Sequence, residues 1–374
     1  MVEWRIQHGT VVDPSRGMCQ AGEVCVAGER IVADIAESAT AIDASRCLVF
    51  PGLIDYHLHM YTGGTEIGTP PDAGLLPQGV TTGVDAGSAG PANYANFSET
   101  VIARSTVRIL SLLNVSPAGL VTIRYPENAD PRHYDPDTSA RLFERHRGEL
   151  LGLKVRQGKE IVGEFGLAPL RATLQMADRL ACPVVVHVTN APCSQAELVD
   201  LLRPRDVFCH VYHGTGPTIF APDGSVLPAI RSARDRGVIF DAANGWSHFV
   251  FASARAALQQ GFLPDVISTD LTNRTLYKQP VFGLPFVMSK YLSMGMPLLD
   301  VVRATTSTPA RLIGMEEEIG TLAPGACADI AIFKQVERPV QFVDTQGVRW
   351  EGNTLLIPQL TMRAGQVLFR QIDF

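Results

Sequence analysis

Pro51-Gly-Leu-Ile-Asp-Tyr-His-Leu-His59 marks the point where the texture of the chain changes. Before it, residues 1–50 are short apolar alternations punctuated by glycine, GTVVDPSRG, GEVCVAGERIVADI and CLVF. These read as strands joined by tight turns, with no helix. After it, short apolar runs alternate with longer helical patterns, the signature of repeated βα units around a parallel sheet. Eight strand candidates follow: Gly52–His59, Gly79–Ala86, Val107–Val115, Leu150–Arg156, Pro183–Thr189, Asp206–Tyr212, Gly237–Ala242 and Val266–Asp270. Several are continuous Val/Ile/Leu runs, as expected where helices cover both faces of a sheet. Helix candidates between them include Ala168–Ala181, Gln195–Leu202, Leu227–Arg236 and Phe251–Gln260. Eight such units favour a closed barrel over an open doubly wound sheet.

A helical stretch from Pro297 to about Gly314 comes next, and then the β texture returns in GTLAPGACADIAIFK, GVRWEGNTLLIP and GQVLFRQIDF. Neither terminal segment alone offers enough surface for a core of its own. The expected fold is therefore α/β: a TIM-like (β/α)8 barrel over residues 51–319, with a small β-sandwich domain formed by residues 1–50 and 320–374. A chain of 374 residues has room for both, since such a barrel needs about 250 residues.

The 46% hydrophobic and 19% charged fractions describe an ordinary globular protein. A formal net charge of −6 argues against a nucleic acid partner, which needs a basic face. No run approaches the roughly 20 apolar residues of a membrane span. The start of the chain, MVEWRIQHGTVVDP, lacks the basic lead and apolar core of a signal peptide. Seven cysteines, an odd number without paired short spacings, suggest reduced thiols and a cytoplasmic setting.

Asp55, His57 and His59 alternate along the first strand, so period-two geometry points all three toward one face, expected to be the barrel interior. A lone His-x-His is more often a pair of satisfied strand histidines than a metal site. His187 ends CPVVVHV, His210 stands in DVFCHVY and Asp270 closes VISTD. Each lies near the C-terminal end of its strand, where barrel enzymes gather their chemistry. Four histidines and a carboxylate on one rim suit a borderline metal such as zinc. Lys154, in LLGLKVRQ, is expected to face the same interior. An ammonium beside two cations is electrostatically untenable there. A neutral amine could instead take up carbon dioxide and become a carbamate bridging two divalent ions; the competing expectation is a lysine that snorkels to the rim.

PGLIDYHLH resembles the PGxxDxHxH opening of the amidohydrolase superfamily, which includes dihydroorotase, hydantoinase and related deacetylases. LKVR, VVVHV, the sixth-strand histidine and STD follow in that superfamily's order. QGVTTGVDAGSAG, GLKVR and ISTDLT resemble its amidohydrolase/deacetylase metallohydrolase subgroup, and TTSTPARLIG with GTLAPGACADIAIFK is similar to its closing helix and returning strand. The resemblance covers nearly the whole chain. It implies that His57, His59, Lys154 as carbamate and Asp270 hold the more buried of two ions, and that Lys154, His187 and His210 hold the second. A hydroxide bridging the ions would attack, with the second ion polarising the carbonyl. Asp270 would be the catalytic base and then acid, and Asp55 would orient a ligand histidine through its other ring nitrogen.

Arg156 shares the inward face with Lys154, and is expected either to clamp a substrate carboxylate or to form an ion pair with an acid at the rim. Two positions depart from the subgroup's pattern. Asn244–Gly245 stands where a histidine-glycine pair is common, and His213 where asparagine is common. Both loops are expected to overlook the site, making Asn244 and His213 candidate substrate-binding residues. The function implied is hydrolysis of an amide or ester in a small anionic substrate, such as an N-acyl amino acid or an acetylated hydroxy acid. Cyclic amide hydrolysis of the dihydroorotase or hydantoinase kind is the alternative. A mononuclear nucleobase deaminase is disfavoured by Lys154, and a metal-free scaffold by retention of all six ligand positions. The resemblance also implies a homo-oligomer.

Overall fold

The computed structural model describes residues 3–374. Seven parallel strands lie side by side in chain order: Leu53–Leu58, Val80–Asp85, Arg108–Asn114, Leu150–Arg156, Val184–His187, Val207–Cys209 and Ile239–Asp241. The expected eighth strand, Val266–Asp270, is not a regular strand. It still joins the two ends of the sheet. Val266 bridges to Asp241 and Leu271 to Leu58, while Asp270 N donates to His57 O at 2.6 Å and Ala242 N to Val266 O at 2.9 Å. The ladder is interrupted because side chains take its bonds. Thr269 donates both N and Oγ1 to the Asp55 carboxylate, at 3.1 and 2.6 Å, and Ser268 Oγ donates to Asp241 at 2.6 Å. Asp270 itself turns to φ +51°.

Helices surround the sheet where the apolar periodicity put them, at Ala168–Leu180, Gln195–Asp200, Pro228–Asp235 and Phe251–Gln259. The stretch read as one helix from Pro297 is two, Leu298–Arg303 and Ser307–Leu312. The break has a cause. Ala304 O and Thr305 O accept from Ile267 N and Ile54 N at 3.0 and 2.8 Å, so carbonyls at the break serve the barrel.

The strands of both termini form a single branched sheet. Ile330–Val343 pairs antiparallel with Leu48–Pro51, which pairs with Glu3–Asp13. Alternation along these strands serves two cores. Val11, Val49, Ile330 and Ile332 pack in one apolar cluster, whereas Val12, Phe50, Ala331 and Phe333 join the core beneath the helices. The long hairpin Ile330–Val343/Arg349–Arg363 also reaches the helix Leu284–Ser293, where Leu356 N donates to Ser289 Oγ at 2.9 Å.

Candidate metal centre

Parallel strands in chain order bring their C-terminal ends to one rim, and the expected ligands lie there. Register sets Val185 opposite Lys154, and His187 opposite both Arg156 and Cys209. His210 follows Cys209 at φ +63°, where the sixth strand stops pairing. Left-handed backbone at non-glycine residues costs energy and persists only when neighbours enforce it. On the first strand the alternation expected of Asp55, His57 and His59 is not strict. The register with the second strand shifts between Asp55 and Leu58, and Ile54 and Tyr56 pack with Val185 and Val207. His57 nonetheless reaches Lys154, with Nε2 3.2 Å from Nζ.

Three of the histidines have one ring nitrogen held by an oxygen, which leaves the other for the site. His57 Nδ1 lies 3.2 Å from Asp241 Oδ2, His59 Nδ1 2.9 Å from Ser88 Oγ, and His210 Nδ1 2.7 Å from Ala243 O. This bracing is how metal-binding imidazoles are oriented. Asp55 does not fill the role expected of it, since Asp241 holds the His57 ring and Asp55 braces the Thr269 segment. Burial pushes the Asp55 carboxyl up to about 7 against those hydrogen bonds. His187 Nε2 is buried with no hydrogen-bond partner among the described residues. His57 and His59 Nε2 stand 3.8 and 3.3 Å from Asp270 Oδ1. Single ligand atoms of His57, His210 and Asp270 fall within 4.8 Å of one another, as do those of His187, His210 and His248. Nitrogen and carboxylate donors converging in this way, one of them orphaned, fit divalent cations.

Burial is the main reason the His187 and His210 rings are held far below the usual imidazole range, with the charge of the neighbouring His248 next. Burial also pushes Asp270 up, but the His59 hydrogen bond and the charges of His57, His59 and His248 outweigh it and hold the carboxyl at about 2. The His248 ring is itself pushed down to about 3, chiefly by burial. Gly87, at φ +80°, is required beside the lysine, because a Cβ there would lie 2.6 Å from Lys154 Cβ.

A cavity of about 330 Å³ opens over these groups, with His57, His59, Lys154, His187 and Asp270 in its lining. Arg156 also lines it but is paired with Glu127 at 2.9 Å, the rim acid of the competing expectation. Asn244 and His213, expected to overlook the site, are not among the lining residues. Asn244 is fully buried and accepts from Tyr291 OH at 3.0 Å. His213 is fully buried against Gln195, 3.3 Å away, on a helix whose start is fixed by a capping box between Ser194 and Glu197. Burial holds the His213 ring at about 4.

Sequence reasoning missed several contributors. Asp241, in FDAANG, and Ser88, in GVDAGSAG, hold the His57 and His59 rings, and Asp85 accepts from Ser88 N and Oγ at 2.7 and 2.8 Å. A carboxylate and a hydroxyl at the ends of the seventh and second strands were the available signal. His248 was missed entirely, although it lies four residues beyond the Asn244 departure. Its ring centroid is 4.1 Å from His210 and 4.8 Å from His187.

Comparison with known proteins agrees with this arrangement. Residues 187–354 match the model of the amidohydrolase family. A deacetylase from Agrobacterium fabrum is 34% identical over 332 residues, covering 87% of this chain and 81% of that protein. A deacetylase from Brucella anthropi is 33% identical over 328 residues, with the same coverage, 87% and 81%. Among solved structures, a dihydroorotase superposes with a TM-score of 0.90 at 31% identity, over 98% of this chain and 97% of that one. An adenine deaminase superposes with a TM-score of 0.91 at 25% identity, over 99% and 100%. The TIM-barrel fold with its terminal β domain, the rim of histidines and this similarity place the chain in the amidohydrolase family, as a hydrolase acting on C–N bonds.

Proposed function

We propose that this chain is a two-metal deacylase that removes an acyl group, such as acetyl, from the amide or ester of a small carboxylate-bearing molecule. N-acyl amino acids and acetylated hydroxy acids are the leading substrate classes. The observation that carries it is the convergence of His57, His59, Lys154, His187 and Asp270 at one end of a cavity whose wall also carries arginines, with His210 beside them beneath it. The two deacetylase relatives support the acyl-transfer class.

His57, His59 and Asp270 would hold one ion and His187 with His210 the other, zinc by donor type. When bound, the ions supply an acidified water at neutral pH and polarise the scissile carbonyl. Lys154 would be shared as a carbamate. The ammonium gives up one proton, the neutral Nζ adds to carbon dioxide, and the adduct loses a second proton, so that a cation is replaced by an anion. Supporting this, Lys154 is 2% exposed and its polar neighbours are His57 Nε2 at 3.2 Å and Cys209 Sγ at 4.0 Å, neither of them a carboxylate. Asp270, ionised at neutral pH, takes a proton from the attacking water and delivers it to the leaving nitrogen or oxygen. The leaving group departs neutral and Asp270 is restored.

Arg156 is occupied by Glu127 and Arg124 by Glu66, at 2.9 and 2.7 Å. Arg274, also in the cavity wall, stacks over Trp246 at 5.0 Å and makes no ion pair among the described residues. Arg274 is therefore the guanidinium free to meet a substrate carboxylate. Cyclic amide hydrolysis is the second reading, favoured by the dihydroorotase likeness. Zinc-loaded protein assayed against N-acetyl amino acids, acetylated hydroxy acids, dihydroorotate and hydantoins decides between them. Turnover confined to the acyclic compounds is expected, and turnover confined to the cyclic ones overturns the deacylase assignment. No helix among the described residues is long and apolar enough to cross a membrane. The seven unpaired cysteines support a cytoplasmic setting, and the family likeness supports a homo-oligomer, which light scattering would read.

A further inference from the structure

We infer that His248 is a third nitrogen ligand for the ion held by His187 and His210, and that this ion can be retained without the Lys154 carbamate. The inference rests on the two-metal reading above. Ligand atoms of the three rings lie within 4.8 Å of one another, and all three side chains are buried. Imidazole nitrogens sharing a tetrahedral ion at 2.0–2.1 Å stand about 3.4 Å apart, so the widest pair of the three must close by no more than about 1.4 Å, within reach of side-chain rotation. Without a cation the grouping is poorly satisfied. Among the described residues His187 Nε2 has no partner, and the ring of His248 finds only the hydroxyl of its neighbour Ser247, at 3.1 and 3.4 Å, and stands 3.9 Å from Asp270 Oδ2. Buried lone pairs facing one another are costly unless something positive sits between them.

The loop that carries His248 is anchored. Asn244 N and Gly245 N donate to Ser268 O and Thr269 O at 3.2 and 2.9 Å, and Val250 N donates to Tyr212 O at 3.0 Å. Gly245, at φ +56°, lets the loop lie against the site, since a Cβ there would fall 2.5 Å from Asp270 Oδ2 and 2.8 Å from His248 Cδ2. Asn244, at the position of the usual histidine, faces Tyr291 instead. The imidazole of this loop is thus supplied four residues later, on the side of His187 and His210.

The test is metal stoichiometry and chelator competition with zinc on the full chain, together with visible spectra of the cobalt form. Proteins compared are the unaltered chain, His248→Ala, His248→Gln, Lys154→Ala and the double variant Lys154→Ala/His248→Ala; far-UV circular dichroism confirms folding, and the glutamine variant serves if the alanine one does not fold. Expected are two ions in the unaltered chain and two, each held more weakly, in Lys154→Ala. The weaker ion in His248→Ala should lose at least about 100-fold in affinity, beyond the 10–100-fold that losing an outer partner costs. The double variant should keep only the ion of His57, His59 and Asp270, and the cobalt spectrum should shift in His248→Ala. If His248→Ala keeps both ions at unchanged affinity and spectrum while KM rises, His248 touches substrate and the inference is overturned. If the unaltered chain takes up no metal, the two-metal reading falls and takes the inference with it.

Discussion

The two sides of the cavity are built differently. On one, His57 and His59 are held by side chains, the Asp241 carboxylate and the Ser88 hydroxyl, and Ser88 is itself tied to Asp85. On the other, His210 is held by a backbone carbonyl, His187 Nε2 is unheld, and His248 arrives on a loop. Fixed imidazoles shape a binding position before anything enters it, whereas the second group relies on its occupant to draw the rings together. The first position is expected to be the tighter and more selective, and the second the more exchangeable.

Removing the group that faces both sides is the bluntest way to break this contrast. Asp270 lies 3.3 Å from His59 and 3.9 Å from His248. Asp270→Asn should lower kcat/KM by about a thousandfold, within the range of a lost acid–base group. Steady-state hydrolysis at matched metal content measures it, and a loss under tenfold would remove Asp270 from the chemistry. The braces come next in size. Asp241→Asn and Ser88→Ala should each weaken only the tighter ion, by about 10–100-fold in chelator competition. Equal weakening of both ions would erase the distinction between the two sides.

The smallest effect concerns the expected substrate contact that the fold turned inward. The His213 ring is held at about 4, below its ordinary value of 6.5. A base whose folded value is depressed takes up its proton first in the unfolded chain, so stability is lost as pH falls from about 6.5 toward 4. The difference amounts to about 3 kcal/mol at most. His213→Gln should flatten the acid limb of denaturant stability in metal-free protein by that order. Parallel limbs would show that the ring is not kept neutral.

Much of this was legible in the sequence because buried parallel strands are written as unbroken apolar runs: Leu150–Arg156 was bounded to the residue, and VVVH and VFC lay inside their expected spans. His57, Lys154, His187 and His210 stood out as polar residues in such runs. The seam at 266–271 did not show itself, because its irregularity comes from bonds to Asp55 and Asp241, far away in sequence. Loop residues misled for a related reason. Nothing near His213 or Asn244 announces Gln195 or Tyr291 as partners, and nothing in NGWSHF says that the histidine will meet two others. Glu127, which occupies Arg156, belongs to a long loop whose course no periodicity encodes.

The seam has a consequence for how the molecule comes into being. Asp270 reaches its place only when its amide meets His57 O and Leu271 meets Leu58, which joins the last segment of the barrel to the first. More than two hundred residues separate them in synthesis, so a nascent chain carries its first-strand histidines long before Asp270 exists to meet them. Under the deacylase reading, no copy is able to react until that ring has closed.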